Sequence, residues 1–535
     1  MFKFTKHFST TSTPQHEPIP GTTQVPNAAG GFTWAVDDWA RLDRFLILGS
    51  EGGTYYVKEA ALTKDAAQAA LRCVQADGVR TVNQVVAVVQ AGRAPKTDPA
   101  LFVLAMCAKL GDEATRKAAY GALATVCRTG TQLMHFAEYA QGFGGWGRGM
   151  RKAVAGWFND KPARDLTYQL VKYGSRDGWS TRDLLRLAHP RAASPSHDRL
   201  FAWVTSGTVP DAVADDESLA LLGAVEALKR TDTVAAATAL IRTHRIPREA
   251  VPTHWLTFAE VWDALLADMP MTAMIRNLAT MTRVGLLKAG AAATRTVVAR
   301  LADPQRLAKA RIHPVAVLAA MTTYGSGHGA RGGGTWHPVA AVVDALDGAF
   351  YQTFWAIEPS GKRTLLALDV SGSMGCGTIA GVPGLTPRLG TAAMALVTAA
   401  TERDYQVVAF TGGGLAGLTP LTISPRQRLD DVCKHITGLP FGTTDCALPM
   451  LWATHNRVDV DTFVIYTDNE TWAGSVHPAQ ALRTYRQARG IAAKEVVVGM
   501  TATGFSIADP ADAGMLDVVG FDPSAPAVIS DFARA

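Results

Sequence analysis

The stretch TLLALDVSGSM, residues 364–374, carries the clearest fold signal in the chain. Its first half is short and apolar, which is typical of a strand buried on both faces of a sheet. Its second half follows this strand directly and supplies one carboxylate, Asp369, and two hydroxyls, Ser371 and Ser373. Open α/β sheets bind their ligands at the carboxyl ends of the strands. The stretch therefore predicts a parallel sheet with a polar site at its edge.

Further strand-like and helix-like segments alternate after this stretch. The strand-like segments are residues 405–410, 462–467, 494–500 and 516–521, and the helix-like segments are residues 388–401, 425–436, 445–454 and 478–489. This alternation is typical of a doubly wound parallel sheet. Residues 361–535 are therefore predicted to form an α/β domain, with residues 350–362 as the junction before it.

The sequence before this junction is mostly helical. Ala-rich segments such as 66–76, 101–110 and 234–245 carry apolar residues at three- and four-residue spacing, with short Gly, Pro or Asp breaks between segments. We expect a stacked array of helical hairpins over residues 27–360, although no clean repeated motif is present. Residues 1–26 are rich in Thr, Ser and Pro and are predicted to be a mobile N-terminal arm.

Charge and cysteine content restrict the class of protein. Net charge is +5, but residues 361–535 hold 13 Lys and Arg against 16 Asp and Glu, so residues 1–360 carry +8. A basic first part favours a polyanionic partner, and it also fits an ordinary solvated surface. The six cysteines form no C-x-x-C pair, and no apolar run approaches a membrane span of roughly 20 residues. We expect a cytoplasmic protein without disulfides or a membrane partner.

Two further loops add oxygen donors to the predicted edge of the sheet. Thr444 and Asp445 precede a helix-like segment, and Asp468 follows the strand TFVIYT. An Asp-x-Ser-x-Ser sequence alone also fits a simple helix cap. Three strand-end loops at one end of one sheet, all offering oxygen, instead predict a site for a hard divalent cation, most naturally Mg²⁺.

A second candidate site lies in the helical part. Between Arg148 and Arg191 there are 10 Lys and Arg against 4 Asp and Glu. Aromatic residues interleave with these cations, namely Trp146, Trp157, Phe158, Tyr168, Tyr173 and Trp179. Cations neutralise phosphates and aromatic faces stack on unpaired bases, so the pattern favours a nucleic-acid ligand. Trp157 and Phe158 are nevertheless expected in the core, because they keep helical spacing from Val154.

Long segments of both parts resemble the Ro autoantigen family, collinearly over residues 24–535. The segments are residues 27–62, 145–158 (GWGRGMRKAVAGWF), 177–190 (DGWSTRDLLRLAHP) and 309–332 in the first part, and residues 359–374, 442–453 (GTTDCALPMLWA), 463–486 and 499–522 in the second. One departure is the glycine-rich sequence after Ser373, residues 374–384, which lies next to the predicted cation and leaves open which partner would reach it.

The resemblance implies a fold and a function for each part. The first part would be a TROVE module, a ring of helical HEAT-like repeats with a basic central hole. It would bind small structured Y-like RNAs outside and single-stranded 3′ ends of misfolded noncoding RNAs in the hole. On the matching motif, Lys172, Arg176 and His189 would contact RNA. Lys172 and Arg176 would share a helix face if the helix continued through Gly174.

The second part resembles a von Willebrand factor A-like domain with a metal-ion-dependent adhesion site. The resemblance implies that the ion is held by Asp369, Ser371, Ser373, Thr444 and Asp468. Asp445 is an alternative direct ligand or an outer residue. The family leaves one coordination position for an acidic group of a partner, such as a nuclease or another protein.

Two other functions compete with noncatalytic RNA binding. One is a metal-dependent protein-interaction module in which the ring binds a protein. The other is an enzyme, but the chain has no H-E-x-x-H, no G-x-x-x-x-G-K-[ST] and no G-x-S-x-G around Ser373. The predicted cation also lacks an obvious neighbouring general base, so we expect no catalytic residues.

Overall fold

The computed structural model describes residues 12–51, 54, 57–209, 215–329, 334–354, 357–379, 382, 384–440 and 442–535. The chain divides into two compact units, one of residues 1–70 with 351–535 and the other of residues 71–350. The N-terminal segment therefore belongs to the same unit as the predicted α/β domain. Its elements are β1 (Gln24–Pro26), β2 (Phe32–Ala35), α1 (Asp38–Leu48) and the beginning of α2 (Glu59–Ala91).

The unit of residues 71–350 is helical, as its periodicity predicts. After α2, which has a non-helical residue at Asp77, its described elements are α3 (Asp98–Leu110), α4 (Glu113–Val126), α5 (Gly130–Gly142), α6 (Arg148–Asn159), α7 (Ala163–Lys172), β3 (Ser175–Arg176), β4 (Trp179–Ser180), α8 (Thr181–Ala188), α9 (Pro195–Ser206), α10 (Ala220–Arg230), α11 (Val234–His244), α12 (Ala259–Asp268), α13 (Met271–Arg283), α14 (Ala292–Leu301), α15 (Pro304–Lys309), α16 (Pro314–Gly325) and α17 (Ala340–Gln352).

Helices that are close in sequence pack against each other in this unit. α3 packs against α4 and α5, and α11 packs against α10 and α12. Two contacts also join residues far apart in sequence. The Arg311 guanidinium donates to the Val89 carbonyl at 3.2 Å, and His313 Nε2 lies 2.9 Å from the Arg93 carbonyl oxygen. The end of α2 and the turn between α15 and α16 are therefore neighbours.

The second part of the chain forms the predicted α/β fold. Its described elements are β5 (Thr364–Asp369), α18 (Pro387–Thr401), β6 (Tyr405–Phe410), β7 (Leu418–Leu421), α19 (Leu429–Thr437), α20 (Leu448–His455), β8 (Thr462–Thr467), α21 (Pro478–Arg489), β9 (Lys494–Gly499), β10 (Phe505–Ser506), β11 (Met515–Val519) and α22 (Ala525–Arg534).

Six strands form the main sheet, in the order β11-β9-β8-β5-β6-β7. All neighbouring strands are parallel except β6 and β7, which are antiparallel. Every residue of β5 and β8 is buried, because helices cover both faces of the sheet. β7 was missed by the sequence prediction. It is short and contains Pro420, which an edge strand tolerates because one side of its backbone needs no partner.

The segment of residues 12–26 differs from the mobile arm that its composition predicts. β1 pairs with β2, and β2 pairs with β10 of the α/β domain. The Thr13 amide donates to the side chain of Gln480 at 2.9 Å, and Gln15 is fully buried. Specific polar contacts with distant residues hold this segment, so its polar composition does not reflect exposure. Residues 1–11 lie outside the described part of the chain.

All six cysteines are free thiols, and five of them are buried. No helix in the described ranges is both long enough and apolar enough to cross a membrane.

Candidate metal centre and nucleic-acid interface

The turn after β5 places the first predicted ligands together. Asp369 is the last residue of β5 and is fully buried. One of its carboxylate oxygens accepts from the Ser371 amide at 2.9 Å, and the other accepts from the Thr467 hydroxyl at 2.7 Å. The hydroxyl oxygens of Ser371 and Ser373 are 3.2 Å apart, and both side chains are buried. The turn therefore concentrates one carboxylate and two hydroxyls at a single point.

The loop after β8 adds the second carboxylate. Asp468 is buried, and its Oδ1 accepts from the Glu470 amide at 3.1 Å. Burial is the main cause that raises the pKa of Asp468 to about 7, and the negative charge of Asp369 is the second. Burial likewise raises the pKa of Asp369. Because the charge of Asp369 disfavours ionisation of Asp468, a cation bound here would stabilise the ionised form of both carboxyl groups.

The loop of residues 442–445 meets both of these turns. The Gly372 amide donates to the Gly442 carbonyl at 3.1 Å, which joins this loop to the turn after β5. The amides of Trp472 and Ala473 donate to the Thr444 carbonyl at 3.2 and 3.0 Å, which joins the loop to the segment after β8. Thr444 itself is buried. The structure thus brings all three predicted loops together at one edge of the sheet.

Asp445 lies next to Thr444 but faces other partners. Its Oδ1 accepts from the Gln15 side-chain amide at 2.7 Å and from the Ala447 amide at 3.0 Å. Burial raises its pKa to about 6, although these two hydrogen bonds lower it. Asp445 is thus tied to the N-terminal segment, which sequence spacing alone had not indicated.

Donor chemistry at this edge fits a hard cation. Two carboxylates and three hydroxyls are all oxygen donors, the type that Mg²⁺ prefers. Among the described residues no group of three or more His, Cys, Asp or Glu side chains is arranged to hold a metal ion. The glycine-rich sequence of residues 374–384 is only partly described, since residues 380, 381 and 383 lie outside the described ranges.

Arg388 is a contributor to this edge that sequence reasoning missed. This buried residue of α18 donates to the carbonyl oxygens of Val370 at 2.6 Å and Ser371 at 2.9 Å. Its positive charge lowers the pKa of Asp369, against the larger effect of burial. The signal in the sequence is weak, because an Arg at the second position of a helix is ordinary.

In the helical unit, the three residues predicted to contact RNA differ in exposure and in their neighbours. Lys172 ends α7 and is only 10% exposed, with its Nζ 3.2 Å from the Tyr168 hydroxyl and 3.9 Å from a Glu249 carboxylate oxygen. Burial alone would lower its pKa, but Tyr168, Tyr173 and Glu249 more than offset this, so the pKa is raised. Lys172 is charged but already engaged.

Arg176 lies in a β-hairpin. β3 and β4 pair around Asp177 and Gly178, whose φ values of 51° and 77° are those of a two-residue turn with both residues left-handed. The helix therefore ends at Lys172 and does not continue through Gly174, so Lys172 and Arg176 do not share a helix face. The Arg176 side chain is 59% exposed, and its closest acidic neighbour is Asp177 at 3.6 Å.

His189 caps the C-terminus of α8. It is exposed, has a left-handed φ of 46°, and its amide donates to the Leu185 carbonyl at 2.9 Å. This backbone conformation satisfies a carbonyl group at the end of the helix, and it does not depend on the contacts of the imidazole ring. The interpretation of Lys172, Arg176 and His189 as RNA contacts stays a prediction.

A group of cations beside the hairpin extends this surface. Arg148, Arg151 and Lys152 occupy the first turns of α6, are exposed, and have no ion pair among the described residues. Trp146, two residues before α6, packs against Trp179 of the hairpin with ring centroids 5.8 Å apart. We call the set of Arg148, Arg151, Lys152, Arg176, Trp146 and Trp179 the α6–hairpin surface. By contrast, Trp157 and Phe158 are buried, which confirms their predicted place in the core.

Comparison with known proteins agrees with this architecture. Residues 25–327 match the TROVE domain family, and residues 363–533 match the Ro60 vWA domain family. The chain belongs to the Ro60 family. It is 47% identical over 513 residues to the RNA-binding protein RO60 of Deinococcus radiodurans, covering 96% of this chain and 95% of that one. The RNA-binding protein RO60 of Caenorhabditis elegans is 37% identical over 585 residues, covering 95% and 90%.

A solved structure of the same family confirms the fold. The crystal structure of the Deinococcus radiodurans RO (RSR) protein superimposes with a TM-score of 0.70 at 45% identity, covering 93% of this chain and 99% of that chain. The prediction of a helical TROVE region followed by a vWA domain is therefore confirmed.

Proposed function

We propose that this member of the Ro60 family is a noncatalytic RNA-binding protein. The α6–hairpin surface carries the proposal. Four exposed cations lie there, three of them without a carboxylate partner among the described residues, beside two partly exposed tryptophans. Unpaired cations release condensed counterions when they neutralise phosphates, and aromatic faces stack on bases without regard to sequence. The RNA-binding names of the two curated relatives support the same ligand class.

We further propose which RNAs bind. Small structured, Y-like RNAs would lie on the basic outer surface of the TROVE module, and single-stranded 3′ ends of misfolded RNAs would enter a central hole. A narrow basic opening admits a single strand but excludes an A-form duplex. The contacts between Arg311 and Val89 and between His313 and Arg93 support a closed helical array, because they join residues more than 200 positions apart.

The direct test compares RNAs that differ only in a single-stranded 3′ tail. A helix with a tail should bind better than the same helix with a blunt end, and replacing Lys172 and Arg176 together by Ala should weaken binding by about 1–3 kcal/mol. Most of this loss should come from Arg176, because Lys172 is largely buried and engaged. Arg306→Ala provides a matched control, since Arg306 is equally exposed but donates a hydrogen bond to Asp303 at 3.1 Å, whereas Arg176 lies 3.6 Å from Asp177. Equal affinity for both RNAs would count against the proposal.

For the vWA domain, we propose a divalent cation site, with Mg²⁺ as its occupant. Asp369, Ser371, Ser373, Thr444 and Asp468 would hold the ion, which supplies positive charge for an acidic group of a protein partner, such as a nuclease. The donor set supports this assignment, because two buried carboxylates and three buried hydroxyls lie on loops that hydrogen bonds join at one edge of the sheet. A metal-dependent protein-interaction role can coexist with RNA binding, because the two sets of residues lie in different units.

A further inference from the structure

Gln15 is a buried polar residue whose side chain has all of its hydrogen-bonding capacity met by the vWA domain. Its Nε2 donates to Asp445 Oδ1 at 2.7 Å and to the Val476 carbonyl at 2.8 Å. Its Oε1 accepts from the Thr471 hydroxyl at 2.6 Å and from the Gly474 amide at 3.1 Å. The residue is fully buried, so water cannot replace these partners.

These four bonds join two of the loops that form the proposed cation site. Asp445 directly follows Thr444, and Thr471 lies three residues after Asp468. The Thr471 hydroxyl also accepts from the Cys446 amide at 3.0 Å, so the Gln15 amide and the Thr471 hydroxyl form one continuous network between the loops. A single side chain from the N-terminal segment therefore adds to the backbone bonds from Trp472 and Ala473 to Thr444 that hold the two loops together.

The carboxylate of Asp445 is oriented by this network. Its Oδ1 already accepts two hydrogen bonds, one from Gln15 and one from the Ala447 amide. Removing the Gln15 amide would leave the buried Asp445 Oδ1 with the Ala447 amide as its donor, and it would free the carboxylate to turn. Mutating hydrogen-bonding partners behind a metal site typically costs about 10- to 100-fold in metal affinity.

The backbone of Gln15 is anchored independently of its side chain. Its amide donates to the Gly474 carbonyl at 2.9 Å, and its carbonyl accepts from the Phe32 amide at 2.8 Å. On the other side, Thr13 exchanges two hydrogen bonds with the Gln480 side chain, at 2.9 and 3.1 Å. The segment thus has anchors that do not involve Asp445, which allows its general attachment to be separated from the role of Gln15.

We propose that Gln15 is a positioning residue of the cation site, which holds Asp445 in an outer position and aligns the Thr444 loop with the Asp468 loop. This inference rests on the proposed cation site and assigns part of that site to the N-terminal segment. Of the two roles that the sequence allows for Asp445, direct ligand or outer residue, the inference assigns the outer one.

The test measures Mg²⁺ affinity by calorimetry, and Mn²⁺ binding by electron paramagnetic resonance, on the full chain. Gln15→Ala should weaken binding roughly 10-fold or more. Gln15→Glu should weaken it as well, because two carboxylates would then face each other. In the Gln15→Glu, Asp445→Asn double variant the donor and acceptor are exchanged, and part of the lost affinity should return. A merely structural role would not produce this rescue.

Gln480→Ala is the matched control. It removes the Thr13 anchor of the same segment without touching Asp445, so it should lower the thermal midpoint while leaving the Mg²⁺ affinity within about 2-fold of wild type. The inference would be overturned if the Gln15→Ala variant bound Mg²⁺ within 2-fold of wild type. It would also be overturned if Gln480→Ala lost as much Mg²⁺ affinity as Gln15→Ala. If Gln15→Ala does not fold, the Glu variant and its rescue decide. No Mg²⁺ or Mn²⁺ binding by wild type would instead remove the cation site itself, and the inference with it.

Discussion

Glu495 is a buried acidic residue that contributes to the pH response of the vWA domain. Glu495 on β9 is fully buried, and neither carboxylate oxygen has a hydrogen-bond partner among the described residues. Burial raises its pKa to about 8, nearby Asp512 raises it too, and Arg486 opposes the shift. Between about pH 5 and pH 8, Glu495 therefore keeps its proton in the folded protein. In the unfolded chain, where a glutamate has a pKa of about 4.3, the proton is lost.

This proton makes the stability fall as pH rises. Between about pH 5 and pH 8 the folded state binds more protons than the unfolded state, so the free energy of unfolding decreases with pH, by up to about 1.4 kcal/mol per unit from this group. Glu495→Gln should flatten that decrease. Urea denaturation of both proteins at pH 6 and pH 8 checks this. Parallel pH profiles for the two proteins would show that Glu495 does not titrate in this range.

Arg44 provides a second test at the scale of one residue. It is buried, its Nη2 donates to an Asp517 carboxylate oxygen at 2.5 Å, and its Nη1 donates to the carbonyls of Thr503 and Phe505. Arg44→Ala should destabilise the unit by roughly 3 kcal/mol, because it leaves a largely buried carboxylate unpaired. Arg403→Ala, at an exposed residue of the same unit, should cost less than about 0.5 kcal/mol in the same denaturation assay. Equal costs would contradict this account of Arg44.

At the scale of elements, the β3–β4 hairpin determines where Arg176 points. Gly178 has a φ of 77°, and a Cβ atom added there would meet nothing within 4 Å, so Gly178→Ala adds backbone strain alone. We expect a cost of about 1–2 kcal/mol in hairpin stability and a lower RNA affinity, although every cation is retained. Gly174→Ala is the control, because Gly174 also has open space but no positive φ. The affinity of both variants for tailed RNA is measured by filter binding. Equal affinities would contradict this account of the hairpin.

The elements also show what sequence can and cannot predict. β5 and β8 were predictable because both of their faces are buried, which leaves an apolar run in the sequence. The attachment of residues 12–26 was not, because it depends on polar contacts such as Gln15 with Asp445, 430 positions away. The hairpin lies between these cases. Asp177-Gly178 is a strong two-residue turn signal, but its flanking strands are only two residues long.

The same distinction applies to the candidate sites. The oxygen donors of the metal centre could be predicted, because parallel strands bring their ends to one edge. Arg388 and Gln15 could not, because a buried polar residue looks like any other until its partner is known. For the RNA surface, sequence indicated the basic and aromatic stretch but not that Lys172 is engaged by Tyr168 and Glu249.

At the scale of the whole molecule, the proposed cation site and RNA surface are chemically separable. Mg²⁺ should raise the thermal midpoint of the vWA domain by an amount that grows with RT ln(1 + [Mg²⁺]/Kd). Asp369→Ala should abolish that gain, because it removes one of the two charged ligands, and RNA affinity at fixed salt should barely change. A variant that keeps the full Mg²⁺ effect would refute the metal assignment. A folded variant that loses RNA binding would mean that the vWA domain takes part in RNA recognition.

The most direct test of the RNA-binding proposal is the salt dependence of RNA affinity. For single strands, log K should fall with log salt by roughly 0.7 for each phosphate neutralised. The measurement compares wild type, an Arg148→Ala, Arg151→Ala, Arg176→Ala triple variant and Arg306→Ala on one tailed RNA. We expect a steep dependence for wild type and Arg306→Ala, and a slope shallower by about 2 for the triple variant. A salt-insensitive affinity, or an unchanged slope in the triple variant, would contradict the assignment of RNA binding to the α6–hairpin surface.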